Sequence, residues 1–517
     1  MQRSLRMVPV ASLVLIGTLI AAACGNGKSL TNAGIDRPPT ATTIVAVTTP
    51  PQPTVPGQTT LPPQTTMPPT TLPRKLDSLP GCNVSTLDAA AASAPVEITF
   101  WHGLSNELGR ELERLTGVYN ASQTKVHVNL EFQGGYEQTI DKYLQSNTGN
   151  RPDMVQTPEY MVQQMIDTKS IVPVQACAES AAYDMSQLLP QALGAYATEG
   201  VQWSIPFNVS VPVLFYVKPA FTRAGLDPNK PPQSLEDLLA VGKQIVSGGG
   251  STYSVSLDSD FDGGGGWYVE QWLAKAGEFY SNNENGRAAP STAVVYNGPA
   301  GFKLLSYLQT LVNEGGAVYV GDNASGQDTL LKLADPVTPA AMAIATSAGI
   351  GPVLSIVGSG IIKGVTVDDL GIGFMPGPSG GVGALVGGAS LYIVADKGDA
   401  KAAASWDYMT FLMSAQTQSE WAAATGYIPV NKGALDLDPI KSLYVSDPRF
   451  KVAYDQLLGT VDSPTSKGPV LGPLKQVRRV TAAAVAEVLT GGNVQAALDT
   501  AAQQANDLIA NYNAENG

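Results

Sequence analysis

Few of the usual reagents of enzyme chemistry occur in this chain of 517 residues. Histidine occurs twice, as His102 and His127, and cysteine three times, as Cys24, Cys82 and Cys177. Neither set builds a zinc ribbon or a multi-histidine metal centre. The sequence has no His-Glu-x-x-His motif, no glycine-rich phosphate loop closing on Gly-Lys-Ser/Thr, and no Gly-x-Ser-x-Gly nucleophile elbow. It therefore marks no catalytic residue, cofactor or metal site, and reads as a binding protein rather than an enzyme. Asp258-Ser-Asp260-Phe-Asp262-Gly263 matches the first half of a calcium loop, but Val269 stands where the closing bidentate Glu belongs. The expectation for this segment is a solvated acidic turn. More suggestive are two aromatic residues that each follow a glycine, Gly266-Trp267 and Gly426-Tyr427. A ring on a loop beside glycine suits the wall of a ligand pocket; the alternative is that both rings are core anchors.

Such loops need a scaffold, and the hydrophobic pattern supplies one. Val96–Trp101 alternates as a strand. Glu107–Tyr119 carries Leu108, Leu112, Leu115 and Val118 at helical spacing. Strand patterns recur at Val126–Phe132 and near Met154–Gln156, with helical ones at Tyr136–Leu144 and Tyr160–Asp167. Val211–Tyr216 reads as a strand crossing to a second region. Further helices are expected over 267–276, 300–313, 400–413 and 475–510, the last broken near Gly491-Gly492-Asn493. Strands alternating with helices predict an α/β fold with largely parallel sheet, and the length suggests two lobes plus appendages.

The appendage is N-terminal. Arg3 and Arg6 precede an apolar run, Val8–Ala23, that is short for a membrane span and ends Ile20-Ala21-Ala22-Ala23-Cys24. Small residues leading directly to cysteine resemble a lipobox, with Ala21 in place of the usual leucine. The expectation is that residues 1–23 are a lipoprotein signal peptide and that lipidated Cys24 anchors the chain to the cell membrane from the extracytoplasmic side; the alternative is an ordinary secretory peptide. Residues 37–73 are a Pro/Thr tract that cannot build helix or sheet. Within residues 24–80 it predicts a stalk reaching on the order of 100 Å at ~3 Å per residue. With Cys24 modified, Cys82 and Cys177 remain in an oxidising compartment and are expected to form a disulfide, the alternative being two buried thiols. The formal net charge of −13 argues against nucleic acid as a partner, because phosphate backbones need a basic surface. It also means that an anionic ligand must be held by a local site.

The folded body, residues 81–517, carries ITFWHGLSNELG (98–109), GGYEQ (134–138), SIPFNVSVPVLFY (204–216), AGLDPNKPPQSLEDL (224–238), GGASLYIV (387–394), TGYIPVNKGAL (425–435) and QAALDTA (495–501). These stretches resemble the extracellular solute-binding proteins of ABC importers, in the large sugar-binding class. Within that class they are most similar to the glycerol-3-phosphate/glycerophosphodiester-binding branch. The resemblance implies a type II-like pair of α/β lobes joined by crossover strands, with a small polar ligand in the cleft. It implies a monomer that delivers ligand to the transmembrane subunits of an ABC permease. The lobes are expected at about 82–205 with 370–395, and about 206–369 with 396–512.

Carried over residue by residue, the resemblance implies ligand contacts from Tyr136, Glu159, Ser204, Trp267, Ser347, Gly388, Tyr427 and Arg478, the arginine pairing with phosphate. Arg479 leaves a one-residue ambiguity at that position. Where the family has a second tryptophan, three residues before Trp267, this chain has Gly264, which predicts a roomier cleft. An oligosaccharide ligand remains the alternative. Replacing Arg478 with alanine is expected to weaken a glycerophosphate ligand and leave folding intact.

Overall fold

The computed structural model describes residues 76–516 apart from 324, 325 and 382. Cys24, the apolar run and the Pro/Thr tract lie outside the described residues. The body holds eleven principal strands: β1 (Val96–His102), β2 (Val126–Phe132), β3 (Met154–Pro158), β4 (Ile171–Val172), β5 (Ile205–Ser210), β6 (Pro212–Val217), β7 (Tyr253–Leu257), β8 (Val318–Tyr319), β9 (Ala340–Thr346), β10 (Leu370–Phe374) and β11 (Gly387–Val394). They form two main sheets, the cores of two lobes.

The first sheet runs β2-β1-β3-β11-β4, with β5 also pairing β11. β1 is parallel to β2 and β3, whereas β11 runs antiparallel to its neighbours. The second runs β8-β7-β9-β6-β10; β7 is parallel to β8 and β9, and β6 is antiparallel to β9 and β10. The chain crosses between sheets at Val211, where β5 ends and β6 begins, and returns through the segment after β10. Both strands flanking Val211 are buried at every residue, which is why apolar residues fill both faces of SIPFNVSVPVLFY, with Ser204, Asn208 and Ser210 enclosed among them.

The helices follow the expected spacing. α1 (Asn106–Ser122) buries Leu112, Leu115 and Tyr119, and α2 (Tyr136–Gln145) buries Thr139, Ile140 and Tyr143. α3 (Trp267–Lys275), α4 (Pro299–Asn313), α5 (Asp399–Leu412) and α6 (Ala415–Thr425) follow. The expected C-terminal helix is two, α7 (Leu474–Leu489) and α8 (Val494–Asn516), divided at Gly491-Gly492. Cys82 and Cys177 are bonded, with Cα atoms 4.9 Å apart. The bridge ties the entry to the body to the helix Val174–Ser180, just after β4.

The expected lobe boundaries are displaced. β10, at 370–374, belongs to the second sheet because it pairs with β6. α5, at 399–412, packs on β1 and β11 of the first sheet, and β5 extends the first sheet to Ser210. Sequence order places the crossings only approximately, because the pairing partner decides which lobe a segment joins.

Candidate functional site

Local structure aims several of the expected residues at one region between the sheets. Tyr136 is the first residue of α2 and is half-buried. Glu159 follows directly on β3. Tyr427 is presented by the end of α6, where Gly426 at φ +82° takes the left-handed cap that a side chain would resist. Its ring stacks on Trp421 at 5.9 Å, and Trp421 stacks in turn on Phe207 of β5. Trp267 opens α3 with its ring against Gly387, so close that a Cβ there would lie 2.2 Å from the indole. Gly388, at φ +90°, lets β11 approach β5: a Cβ would meet the Asn208 carbonyl oxygen at 1.9 Å.

The electrostatic centre is Arg478 of α7, only 1% exposed. Its Nε and Nη2 form a fork on Glu270 of α3 at 2.6 and 2.8 Å. Its Nη1 donates to Glu159 at 2.9 Å and to Asp262 at 3.2 Å. The ring of Tyr160 lies 5.3 Å from the guanidinium carbon. Burial opposes the arginine's charge, but Glu270, Glu159 and Asp262 outweigh it and hold the group protonated. Burial raises the Glu159 carboxyl above its ordinary value, against the pull of Arg478. Three carboxyls crowd one guanidinium, and burial together with the neighbouring Glu159 raises the Asp262 carboxyl well above its ordinary value. Arg479 sits apart on the rim, where it pairs with Glu137 of α2 at 2.8 Å beside Lys475.

The neutral side of the site is hydrogen-bonded. Gln156 and Asn208 are fully buried, and Asn208 Nδ2 donates to the Tyr136 hydroxyl at 2.6 Å. The Tyr427 hydroxyl neighbours both Tyr136 and Asn208. Thus Tyr136, Glu159, Trp267, Gly388, Tyr427 and Arg478 are brought into one connected neighbourhood. The two serines are enclosed and engaged by protein. Ser204 Oγ bonds Ser390 Oγ at 2.8 Å. Ser347 Oγ accepts from the Val211 amide at 3.2 Å, bracing the first crossover.

Three expectations change. Arg478 is not a surface charge that can be removed without consequence for folding, because its loss strands buried carboxylates. Gly264 does not leave a gap: a Cβ there would lie 2.2 Å from the Asp258 carbonyl oxygen, so main chain fills the space. The acidic turn is not simply solvated, since Asp258 is buried and accepts from the amides of Asp260 and Gly264. Sequence reasoning missed Glu270, Gln156 and Asn208 as site residues. Their one signal was a polar residue inside an otherwise buried run, in WYVEQWL, MVQTP and IPFNVS.

The cluster joins residues of both lobes and contains two buried aromatic rings, tyrosine hydroxyls and one guanidinium. Known proteins carry the same plan. The sequence profile described as bacterial extracellular solute-binding protein matches residues 118–451. The sn-glycerol-3-phosphate-binding periplasmic protein UgpB of Escherichia coli O1:K1 / APEC is 29% identical over 434 residues, covering 82% of this chain and 94% of that protein. UgpB from Mycobacterium tuberculosis in complex with glycerophosphocholine superimposes with a TM-score of 0.65 at 20% identity, over 81% of this chain and 99% of that one. The cyclic alpha-maltosyl-1,6-maltose binding protein from Arthrobacter globiformis gives 0.65 at 21% identity, over 81% and 100%. With a two-lobed α/β body, a residue cluster between the lobes and a profile match across most of that body, the chain belongs to the bacterial extracellular solute-binding protein family.

Proposed function

We propose that this protein is the lipid-anchored receptor of an ABC importer and that it captures a glycerophosphodiester between its lobes without turning it over. Arg478 carries the reading. Glu270 holds two of its donor nitrogens as a fork, which aims the third, Nη1, at the cleft. Glu159 and Asp262 accept from that nitrogen. A phosphoryl oxygen is the competing acceptor, and a guanidinium suits it in geometry and charge. Hinge motion at the crossovers would separate the lobes, release Glu159 and admit ligand.

Burial raises the Glu159 and Asp262 carboxyls above their ordinary values, and a diester brings one negative charge into this enclosed site where a monoester dianion brings two, which favours the diester. The relatives described as binding glycerol 3-phosphate and glycerophosphocholine support this ligand class. An oligosaccharide is the second reading, supported by the aromatic walls Trp267 and Tyr427 and by the sugar-binding neighbour. Titration calorimetry with glycerophosphocholine, glycerol 3-phosphate and maltose separates them. The expected order is diester tightest, monoester weaker, sugar undetected. Binding of the sugar alone would overturn the assignment, and a ligand-dependent product would make the protein an enzyme.

The remaining parts of the reading are the anchor and the partner. Cys24 carries lipid at the mature N-terminus, which mass spectrometry of that terminus tests; the stalk then holds the body clear of the membrane, and the transmembrane permease subunits receive the ligand from a monomer.

A further inference from the structure

A line of neutral hydrogen bonds behind the cleft has a fixed direction. The amide N–H of Gly103, at the end of β1, donates to Gln156 Oε1 at 3.0 Å. A main-chain N–H can only donate, so the orientation of the Gln156 amide is determined rather than free to flip. Its Nε2 donates to Asn208 Oδ1 at 2.8 Å. That leaves Asn208 Nδ2 facing the Tyr136 hydroxyl, to which it donates at 2.6 Å. Gln156 and Asn208 are fully buried on β3 and β5, so water cannot reset the order. Tyr136 therefore receives a hydrogen bond from behind, and its own proton must go forward, to the neighbouring Tyr427 hydroxyl or to whatever occupies the cleft.

We infer that Gly103, Gln156 and Asn208 form a one-way relay that makes the Tyr136–Tyr427 pair a hydrogen-bond donor toward the ligand. Gln156 and Asn208 are positioning residues, since they act through Tyr136. The inference rests on the phosphodiester reading and deepens it. An anionic phosphoryl oxygen presents only acceptors and gains about twice as much from such a donor as a neutral hydroxyl does. The relay thus biases the cleft toward an anionic ester and against a sugar hydroxyl of similar size.

The direction can be reversed without changing shape. In Gln156→Glu the carboxylate still accepts from Gly103, but it can no longer donate to Asn208. The Asn208 amide must then turn its nitrogen toward the carboxylate and its oxygen toward Tyr136, consuming the tyrosine's proton. The test is a double-mutant cycle on the full chain, with glycerophosphocholine as probe, in the wild-type background and in one carrying both Tyr136→Phe and Tyr427→Phe, because Asn208 neighbours both hydroxyls. Affinity is expected to fall about tenfold or more in the wild-type background and less than about threefold once both tyrosines are phenylalanine. Equal losses in both backgrounds would mean that charge or packing, not proton direction, is responsible, and would overturn the relay alone. No loss in the wild-type background would overturn it too. Asn208→Asp, run through the same cycle with folding checked by thermal melting, keeps the test decisive if Gln156→Glu does not fold. Wild-type protein that binds neutral sugars and no phosphodiester would instead remove the reading on which the relay rests.

Discussion

Two enclosed arginines solve the same problem in opposite ways. Arg478 meets three carboxylates, Glu270, Glu159 and Asp262. Arg287 meets none among its hydrogen-bond partners: its Nε donates to Gly468 O at 2.9 Å, Nη1 to Ala197 O at 2.8 Å and Gly194 O at 3.3 Å, and Nη2 to the carbonyls of Lys467 and Ala195. Every donor of that guanidinium is used, and every acceptor is main chain. Without a counter-charge, burial pulls Arg287 down to about 9, whereas the carboxylates keep Arg478 charged. The difference teaches what each is for. Main-chain carbonyls cannot leave, so Arg287 staples the 194–197 turn to the 467–468 loop permanently. Arg478 is held in part by Glu159, a side chain from the other lobe that can move away, and on the proposed reading a ligand takes its place.

The largest expected effect tests that contrast at Arg478. Arg478→Met should destabilise the body by about 3–5 kcal/mol in urea denaturation, because Glu270 is left buried without its counter-charge. Adding Glu270→Gln should recover much of the loss. A single variant that folds as well as wild type would show that the cluster is not a charge-balanced core.

Arg287→Met removes hydrogen bonds but strands no charge, so it should cost about 2 kcal/mol and leave ligand preference unchanged. If it instead altered the ratio of diester to sugar affinity, the staple would have to be counted as part of the site.

His102 sharpens the comparison as a base that is buried with no acid beside it. It is 2% exposed, between the rings of Phe100 and Phe132, and burial lowers it to about 4. The folded state keeps it neutral while the unfolded chain, near 6.5, takes up a proton. Below pH 6.5 the unfolded state therefore binds more protons, and stability is lost as pH falls toward 4. Between pH 6.5 and 5 this single group should contribute about 2 kcal/mol of that loss. His102→Gln should flatten the slope in that window, and an unchanged slope would exclude His102 as its source.

The smallest effect belongs to an exposed pair. Arg110 and Glu107 on α1 form an ion pair with side chains 53% and 71% exposed, and Arg110→Ala should change stability by less than about 0.5 kcal/mol. A larger loss would mean that partner number, not burial, sets the value of an arginine here.

Much of the fold was legible because its signals are local. Alternation along Val96–Trp101, helical spacing through Leu112 and Leu115, and the Gly491-Gly492 break each describe a few consecutive residues. The same holds for Tyr427, since a glycine before it sets the cap that presents it. Gly264 shows the limit. A missing side chain reads as empty space, but the chain had folded its own backbone at Asp258 into that space.

From sequence alone come the α/β class, the order of its elements and the stalk, because composition and periodicity are properties of neighbouring residues; the grouping of the site residues and the reading of Cys24 come from resemblance to known motifs. The tertiary structure alone decided which sheet received β10 and α5. It also decided that Arg478 is held by Glu270, 208 positions away in the chain, and by Glu159, 319 positions away. Pairings at such separations leave no local pattern. They depend on which buried charges and amides find partners once the two lobes meet, since enclosing a charged or polar group without a partner is costly.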